Sequence, residues 1–220
     1  MTPAFTILTV CTGNIHRSAL AATLLETWRS WYLPAQTASL IRVHSAGFAA
    51  PVGSPMGEHV RLVAAALGGD GTAHRATQLT DEMIASADLV LVASRRQRDE
   101  ALARVPSALR TTFTMREAGR ICEALPPASP ADLVSLRSVV ALMADHRGEH
   151  ADPGSDDVID PQGRDLDAYV QMTREEVVPL ARLGAALFGM PAADLRAYLA
   201  VVDDPAAVLA MLGTDPAATS

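Results

Sequence analysis

Apolar residues along this chain fall into two alternating rhythms. "FTILTV" (Phe5 to Val10) is a short, β-rich apolar run of the kind that forms a fully buried parallel strand. In "ALAATLLETWRSWYL" the residues Leu20, Leu24, Trp28 and Trp31 recur every three or four positions, which predicts a helix with one apolar stripe. "LIRVHSAG" reads as a second strand ending in a Ser-Ala-Gly turn. "SPMGEHVRLVAAALGG" then predicts a helix capped by Ser54, with Pro55 in its first turn and a Gly-Gly stop. A helix capped by Thr80, a buried strand at Leu89 to Ala93 and a charged helix stopped by Pro106 follow. "TTFTM" supplies a fourth strand and "REAGRICEAL" the next helix. Strands alternating with helices define an α/β domain, a parallel four-stranded sheet flanked by helices on both faces.

Beyond Leu125 the pattern changes. A Pro-rich break, "PPASPADL", precedes the amphipathic "LVSLRSVVALMADH", and "RGEHADPGSDDVIDPQG" reads as an acidic surface loop. The helix "LDAYVQMTREEVVPLARLGAALFG" carries Pro179, which should kink it or mark a boundary within it. The tail predicts two more short helices. We therefore expect one domain over 1–220, with an inserted helical and loop segment at about 126–157 and extra C-terminal helices at about 191–213. The insertion and the tail are placed to cover a cleft or to form a dimer contact, so monomer and dimer both stay open.

Composition narrows the partners. A net charge of −7 argues against nucleic acid and against anionic membrane contact, so any phosphate site must be local. No apolar stretch is long enough for membrane insertion, and the N-terminus has no basic lead or cleavage site. Two widely separated cysteines, Cys11 and Cys122, fit a reducing compartment rather than a disulfide framework. A cytoplasmic setting follows as the expectation.

The chemistry concentrates where the first strand ends, in "TVCTGNIHRS" (Thr9 to Ser18). A glycine-containing turn between a buried strand and a helix gathers backbone N–H groups at the helix N-terminus, which makes an anion cradle. Arg17 adds a guanidinium able to bind two phosphate oxygens. The Cys11 thiolate should be stabilised by those amides and by Arg17, with its pKa pulled below the free value of about 8.5. Beneath a bound phosphoryl group it becomes a nucleophile placed for in-line attack. Thr12, Gly13, Asn14, Ile15 and His16 line the loop as substrate-binding positions. Gly13 permits close backbone approach, Asn14 tolerates left-handed geometry, and Ser18 can donate a hydrogen bond to the sulfur.

These residues carry a resemblance. "VCTGNIHRS" resembles the Cys-x5-Arg-Ser phosphate loop of the low-molecular-weight protein tyrosine phosphatases, which lies directly after the first strand. The similarity continues in "HSAG" (His44 to Gly47), "AHRATQLT" (Ala73 to Thr80), "ADLVLV" and "IDP" (Ile159 to Pro161), so it spans most of residues 5 to 190. It implies hydrolysis of a phosphomonoester, phosphotyrosine in a protein or another phosphorylated compound, through a phosphocysteine, with neither metal nor cofactor. By the matching Asp-Pro, Asp160 is implied as general acid, a carboxyl that protonates the leaving oxygen and then activates water. The nearby charges of Asp156 and Asp157 are expected to favour its protonated form. His74 is implied in support of Asn14.

The sequence also departs from that family. Its usual second loop cysteine is replaced by His16, and Gln162 and Gly163 follow Pro161 where aromatic cleft walls are common, leaving only Phe48 nearby. A thiol-dependent arsenate reductase and a non-catalytic phospho-binding module are the alternatives. "HRGEH" (His146 to His150) formally matches a zinc-peptidase pattern, but Gly148 disfavours the helix that pattern needs, and a solvated loop is the simpler reading. The basic cluster "SRRQR" (Ser94 to Arg98) is read as an exposed helix start that could touch an anionic substrate.

Overall fold

In the computed structural model, which describes residues 4–125, 132–148 and 156–213, the four predicted strands form one parallel sheet. They are β1 (Phe5–Cys11), β2 (Ile41–Gly47), β3 (Leu89–Val92) and β4 (Thr112–Thr114), ordered β2-β1-β3-β4. Side chains alternate across the sheet as strand geometry requires. Phe5, Ile7, Cys11, Leu89 and Leu91 enter the larger core on one face, whereas Leu8, Val10, Val90 and Val92 enter the smaller core on the other. The chain leaves β1 toward β2 on one side and returns to β3 on the other. A crevice opens at such a switch point, beyond the C-terminal ends of β1 and β3.

Helix α1 (Arg17–Tyr32) starts directly in that crevice and buries Leu20, Leu24, Leu25 and Trp28. The predicted stripe includes one residue that falls beside it: Trp31 is 54% exposed, while the following Tyr32 packs against the core. A short helix α2 (Ala35–Ala38) leads into β2, and α3 (Glu58–Ala66) follows it. Ser54 is not the cap of α3. The segment before it is held elsewhere, Gly57 N–H donating to the Ile15 carbonyl (2.9 Å) and Ala76 N–H to the Ser54 carbonyl (2.8 Å), so the helix begins only after Gly57.

The smaller core is closed by α4 (Asp81–Ser86), capped by Thr80 as expected, and by α5 (Arg95–Arg104), capped by Ser94. A 3-10 turn over Pro106–Arg110 ends α5 and leads to β4. Helix α6 (Met115–Ala124) opens with a reciprocal capping box between Thr114 and Glu117.

Helix α7 (Leu133–Asp145) is the described part of the insertion; residues 126–131 and 149–155 lie outside the described residues, including Glu149, His150 and the rest of the acidic loop before Asp156. Arg137 on α7 bonds the Ala4 carbonyl and Asp88, so α7 packs at the end of β1 opposite Cys11, away from the cleft. Helix α8 (Leu166–Phe188) runs through Pro179 without a boundary. At that level α6 crosses it through Gly119: a Cβ there would lie 2.3 Å from the Pro179 Cα, so only glycine lets the two helices cross this closely. Helices α9 (Ala192–Asp203) and α10 (Pro205–Met211) pack on α8. Tyr198 of α9 meets the Trp28 ring edge-on at 5.1 Å. That contact puts the tail near the C-terminal half of α1 and likewise away from the cleft.

Candidate active site

The loop from Cys11 to Arg17 wraps around the cysteine sulfur. Cys11 is 2% exposed, and its Sγ accepts the Asn14 backbone N–H (3.2 Å). Ser18 Oγ stands 3.0 Å from the same sulfur. Asn14 makes the turn possible with φ 53°, a left-handed conformation that asparagine tolerates better than most residues. Its side chain locks the turn, Nδ2 donating to Ser18 Oγ (2.9 Å) and Oδ1 accepting from Thr77 N–H (2.8 Å). With Asn14 donating to it, the Ser18 hydroxyl has its own proton free to point at sulfur.

His74 reaches the loop as the resemblance implied, its Nε2 donating to the Asn14 carbonyl at 2.7 Å. Burial holds the His74 imidazole below its ordinary pKa, with that hydrogen bond opposing. A second support was not legible in the sequence. Gln97, inside the charged run, is 6% exposed; its Nε2 donates to Thr12 Oγ1 (3.1 Å) and its Oε1 accepts from Ala93 N–H (3.0 Å). The glycine that the loop demands is also a different one. A Cβ on Gly13 would make only ordinary contacts, whereas on Gly47 it would lie 2.5 Å from the Thr12 carbonyl oxygen and 2.9 Å from Asn14 N. Close approach is required where β2 ends against the loop.

Arg17 is 5% exposed and points back across the crevice. Its Nη1 donates to the Val158 carbonyl (3.1 Å) and its Nη2 bonds the Asp160 carboxylate. The backbone N–H of Gln162 donates to the other Asp160 oxygen (3.2 Å). The expected influence of Asp156 and Asp157 is not what the fold provides. Asp156 is ion-paired with Arg120 (2.7 Å) and Asp157 accepts from Arg95 N–H (2.8 Å), so the charged group beside Asp160 is the Arg17 cation.

His16, in place of a second loop cysteine, is packed rather than open. Its ring meets Tyr169 edge-on at 5.7 Å, and His59 meets the same tyrosine at 5.0 Å. Burial lowers the His16 pKa, the charge of Asp160 opposing and that of Arg17 adding to the fall. Behind the loop, Glu176 of α8 is fully buried, and among the described residues no group stands at full hydrogen-bond geometry to either carboxyl oxygen. Burial raises its pKa well above the usual range, against the pull of Arg17 and of the nearby Ala21 backbone N–H. The second cysteine is remote from this chemistry in character: Cys122 is buried in α6 and its thiol is pushed up to about 12 by burial.

The cleft has two lobes that share Thr12, Arg17 and Asp160. One, of about 270 Å³, holds Cys11, with Ile15, Pro51 and Gln162 as walls. The other, of about 350 Å³, is bounded by Phe48, Arg96, Gln97 and Glu100. Phe48 is the aromatic wall anticipated from the sequence, and Arg104 lies over its ring at 5.7 Å.

A thiol held by the Asn14 backbone amide and faced by the Ser18 hydroxyl at a helix N-terminus, with an arginine and a carboxylate across the crevice, defines a cysteine-centred phosphate-handling enzyme. Residues 6–117, just over half of the chain, match the family model for low molecular weight phosphotyrosine protein phosphatases. The chain belongs to that family, and it is a phosphatase, a phosphoric monoester hydrolase. It is 39% identical over 112 residues to a probable low molecular weight protein-tyrosine-phosphatase, EpsP, of Ralstonia solanacearum, covering 51% of this chain and 71% of that protein. A protein-arginine-phosphatase of Geobacillus stearothermophilus is 38% identical over 113 residues, 51% of this chain and 70% of that one. Among solved structures, the YwlE arginine phosphatase from Geobacillus stearothermophilus superposes with a TM-score of 0.56 at 29% identity, covering 82% of this chain and 90% of that chain. These matches do not favour an arsenate reductase or a non-catalytic module. Among the described residues no helix is long and apolar enough to cross a membrane.

Proposed function

We propose that this phosphatase hydrolyses protein phosphotyrosine through a phosphocysteine on Cys11, within one domain carrying a helical tail at 191–213 and working in a reducing cytoplasm. The observation that carries the reading is the Cys11 sulfur held by the Asn14 amide and faced by Ser18 at the start of α1, with Arg17 and Asp160 across the crevice.

The steps follow from the atoms. Cys11 Sγ attacks phosphorus, the S–P bond forms as the P–O bond to the tyrosine oxygen breaks, and Asp160 gives that oxygen a proton. The loop amides from Thr12 to Ser18 and the Arg17 guanidinium take the equatorial oxygens, where charge accumulates. A phosphoryl group competes with Asp160 for Arg17 Nη2, so binding shifts the guanidinium onto phosphate and releases the carboxyl for proton transfer. Asp160 then removes a proton from the water that cleaves the S–P bond, and Ser18 steadies the departing sulfur. His74 and Gln97 act as positioning residues through Asn14 and Thr12.

Phosphoarginine is the second reading, favoured by the similarity to the arginine phosphatase and by Gln162 standing where an aromatic wall would clasp a phenyl ring. The test is metal-free hydrolysis of an aryl phosphate and of matched phosphotyrosine and phosphoarginine peptides by wild type, Cys11→Ser and Asp160→Asn. The proposal expects phosphotyrosine turnover that Cys11→Ser abolishes and Asp160→Asn slows by about 10²-fold or more. Preferential turnover of phosphoarginine would select the second reading.

A further inference from the structure

The lobe beside the Cys11 pocket has a charge pattern that hydrolysis of the phosphoryl group does not use. Of the arginines on α5 and just around it, most are committed. Arg95 faces Asp157 (3.8 Å), Arg98 pairs with Glu117 (3.3 Å), and Arg104 pairs with Asp81 (2.6 Å). Arg17, on the shared wall, is engaged by Asp160. Arg96 lines the lobe, is exposed, and among the described residues forms no ion pair or hydrogen bond. One helical turn on, Glu100 lines the same lobe, as i and i+4 positions must. The remaining walls, Thr12, Phe48, Ala49, Ser94 and Gln97, carry no charge. An unpaired cation therefore lines the lobe beside the phosphate site in a protein whose net charge is −7.

We propose that this lobe is a second subsite, in which Arg96 binds an anionic group carried by the substrate next to the phosphorylated residue, while Glu100 tempers its attraction. The chemistry recognised is a carboxylate or a second phosphoryl group within reach of the shared wall at Thr12. Arg96 is thus a specificity-determining residue that acts on substrate choice and leaves the bond-breaking step to the Cys11 lobe. The inference rests on the phosphotyrosine reading of the site.

The experiment compares kcat/KM for three phosphotyrosine peptides that differ at the flanking positions, one bearing Asp, one Asn and one phosphoserine. Wild type, Arg96→Ala and Glu100→Gln are assayed at low and at high salt. Ratios taken within one variant cancel any change in its folded fraction. At low salt the wild type should prefer the Asp peptide over the Asn peptide by about threefold to fivefold, the range of an exposed ion pair. Arg96→Ala should bring that ratio to unity and Glu100→Gln should raise it, with high salt erasing both differences. A larger gain for the phosphoserine peptide would identify a second phosphoryl group as the preferred occupant; equal gains would identify any anion. Turnover of all three peptides with an Asp to Asn ratio that Arg96→Ala does not change would overturn the subsite alone. Failure to turn over any of them, while an aryl phosphate is hydrolysed, would overturn the phosphotyrosine reading and the subsite with it.

Discussion

Gly47 offers the sharpest perturbation of the phosphate loop from outside the loop itself. A methyl group there would lie 2.5 Å from the Thr12 carbonyl oxygen, 2.9 Å from Asn14 N and 3.0 Å from the Gly13 carbonyl carbon, all backbone atoms of the loop. The strand cannot retreat easily. Gly47 N–H donates to Thr77 O (2.9 Å), its carbonyl accepts from Leu79 N–H (2.9 Å), and the next two residues bond Cys11 O and Thr12 O. The loop must yield instead, by roughly 1 Å, and a displacement of that order costs about 10²-fold in rate when it separates reacting groups. Gly47→Ala should therefore lower kcat/KM for an aryl phosphate by about 10²-fold, about 2.7 kcal/mol of transition-state stabilisation. Overpacking should cost about 1–3 kcal/mol of stability as well. The assay is steady-state hydrolysis at a temperature where circular dichroism shows the variant folded, alongside its denaturant midpoint. Activity within about threefold of wild type would refute the claim that β2 and the loop are rigidly matched.

Three further outcomes follow from the same packing. Asn14→Ala should lose most activity and about 1–3 kcal/mol of stability, because it keeps the left-handed turn without its hydrogen bonds; Asn14→Gly, which relieves the positive φ but lacks the same hydrogen bonds, should recover part of the stability and none of the rate, and near-wild-type activity in either variant would count against the side-chain lock. Gly119→Ala should destabilise by about 1–3 kcal/mol in urea unfolding, since its methyl would meet Pro179 at the helix crossing, and an unchanged midpoint would show that the helices separate freely. Glu176 has a folded pKa well above its reference of 4.5, so its contribution to stability is present below about pH 4.5 and is lost as pH rises through the folded value. Glu176→Gln, which cannot ionise, should gain on wild type in unfolding midpoint as pH rises, and a gap independent of pH would contradict its burial as a neutral acid.

Much of this site was legible in the chain because its signal is local. Cys11, Asn14, Arg17 and Ser18 lie within one strand, one turn and the first turn of a helix, and the central strands β1 and β3 declare themselves by short apolar runs, whereas β2 alternates between buried and exposed positions and β4 is a short Thr-Phe-Thr segment. What the sequence hid depends on contacts between distant segments. Gln97 is by sequence one more polar residue in a charged helix, and only the packing of α5 against the turn after β1 gives it a role. Gly47 gave no sign that it, rather than Gly13, lies against the loop backbone. Proximity in sequence suggests that Asp156 and Asp157 act on Asp160, but in the fold Arg120 and Arg95 take their carboxylates. Trp31 fits a three-residue step from Trp28 but is exposed, because the buried face of α1 continues instead through Tyr32, four residues on, which packs against the core.

The central claim is that Cys11 becomes the phosphorylated residue. Rapid acid quench of wild type and of Asp160→Ala during turnover of an aryl phosphate, followed by peptide mass spectrometry, tests it directly. The account predicts one phosphoryl group on Cys11, more of it in Asp160→Ala if water attack is slowed there, and none on a Cys11→Ala chain. Sustained hydrolysis with Cys11 unmodified, or with phosphate on another side chain that Cys11→Ala retains, would contradict it.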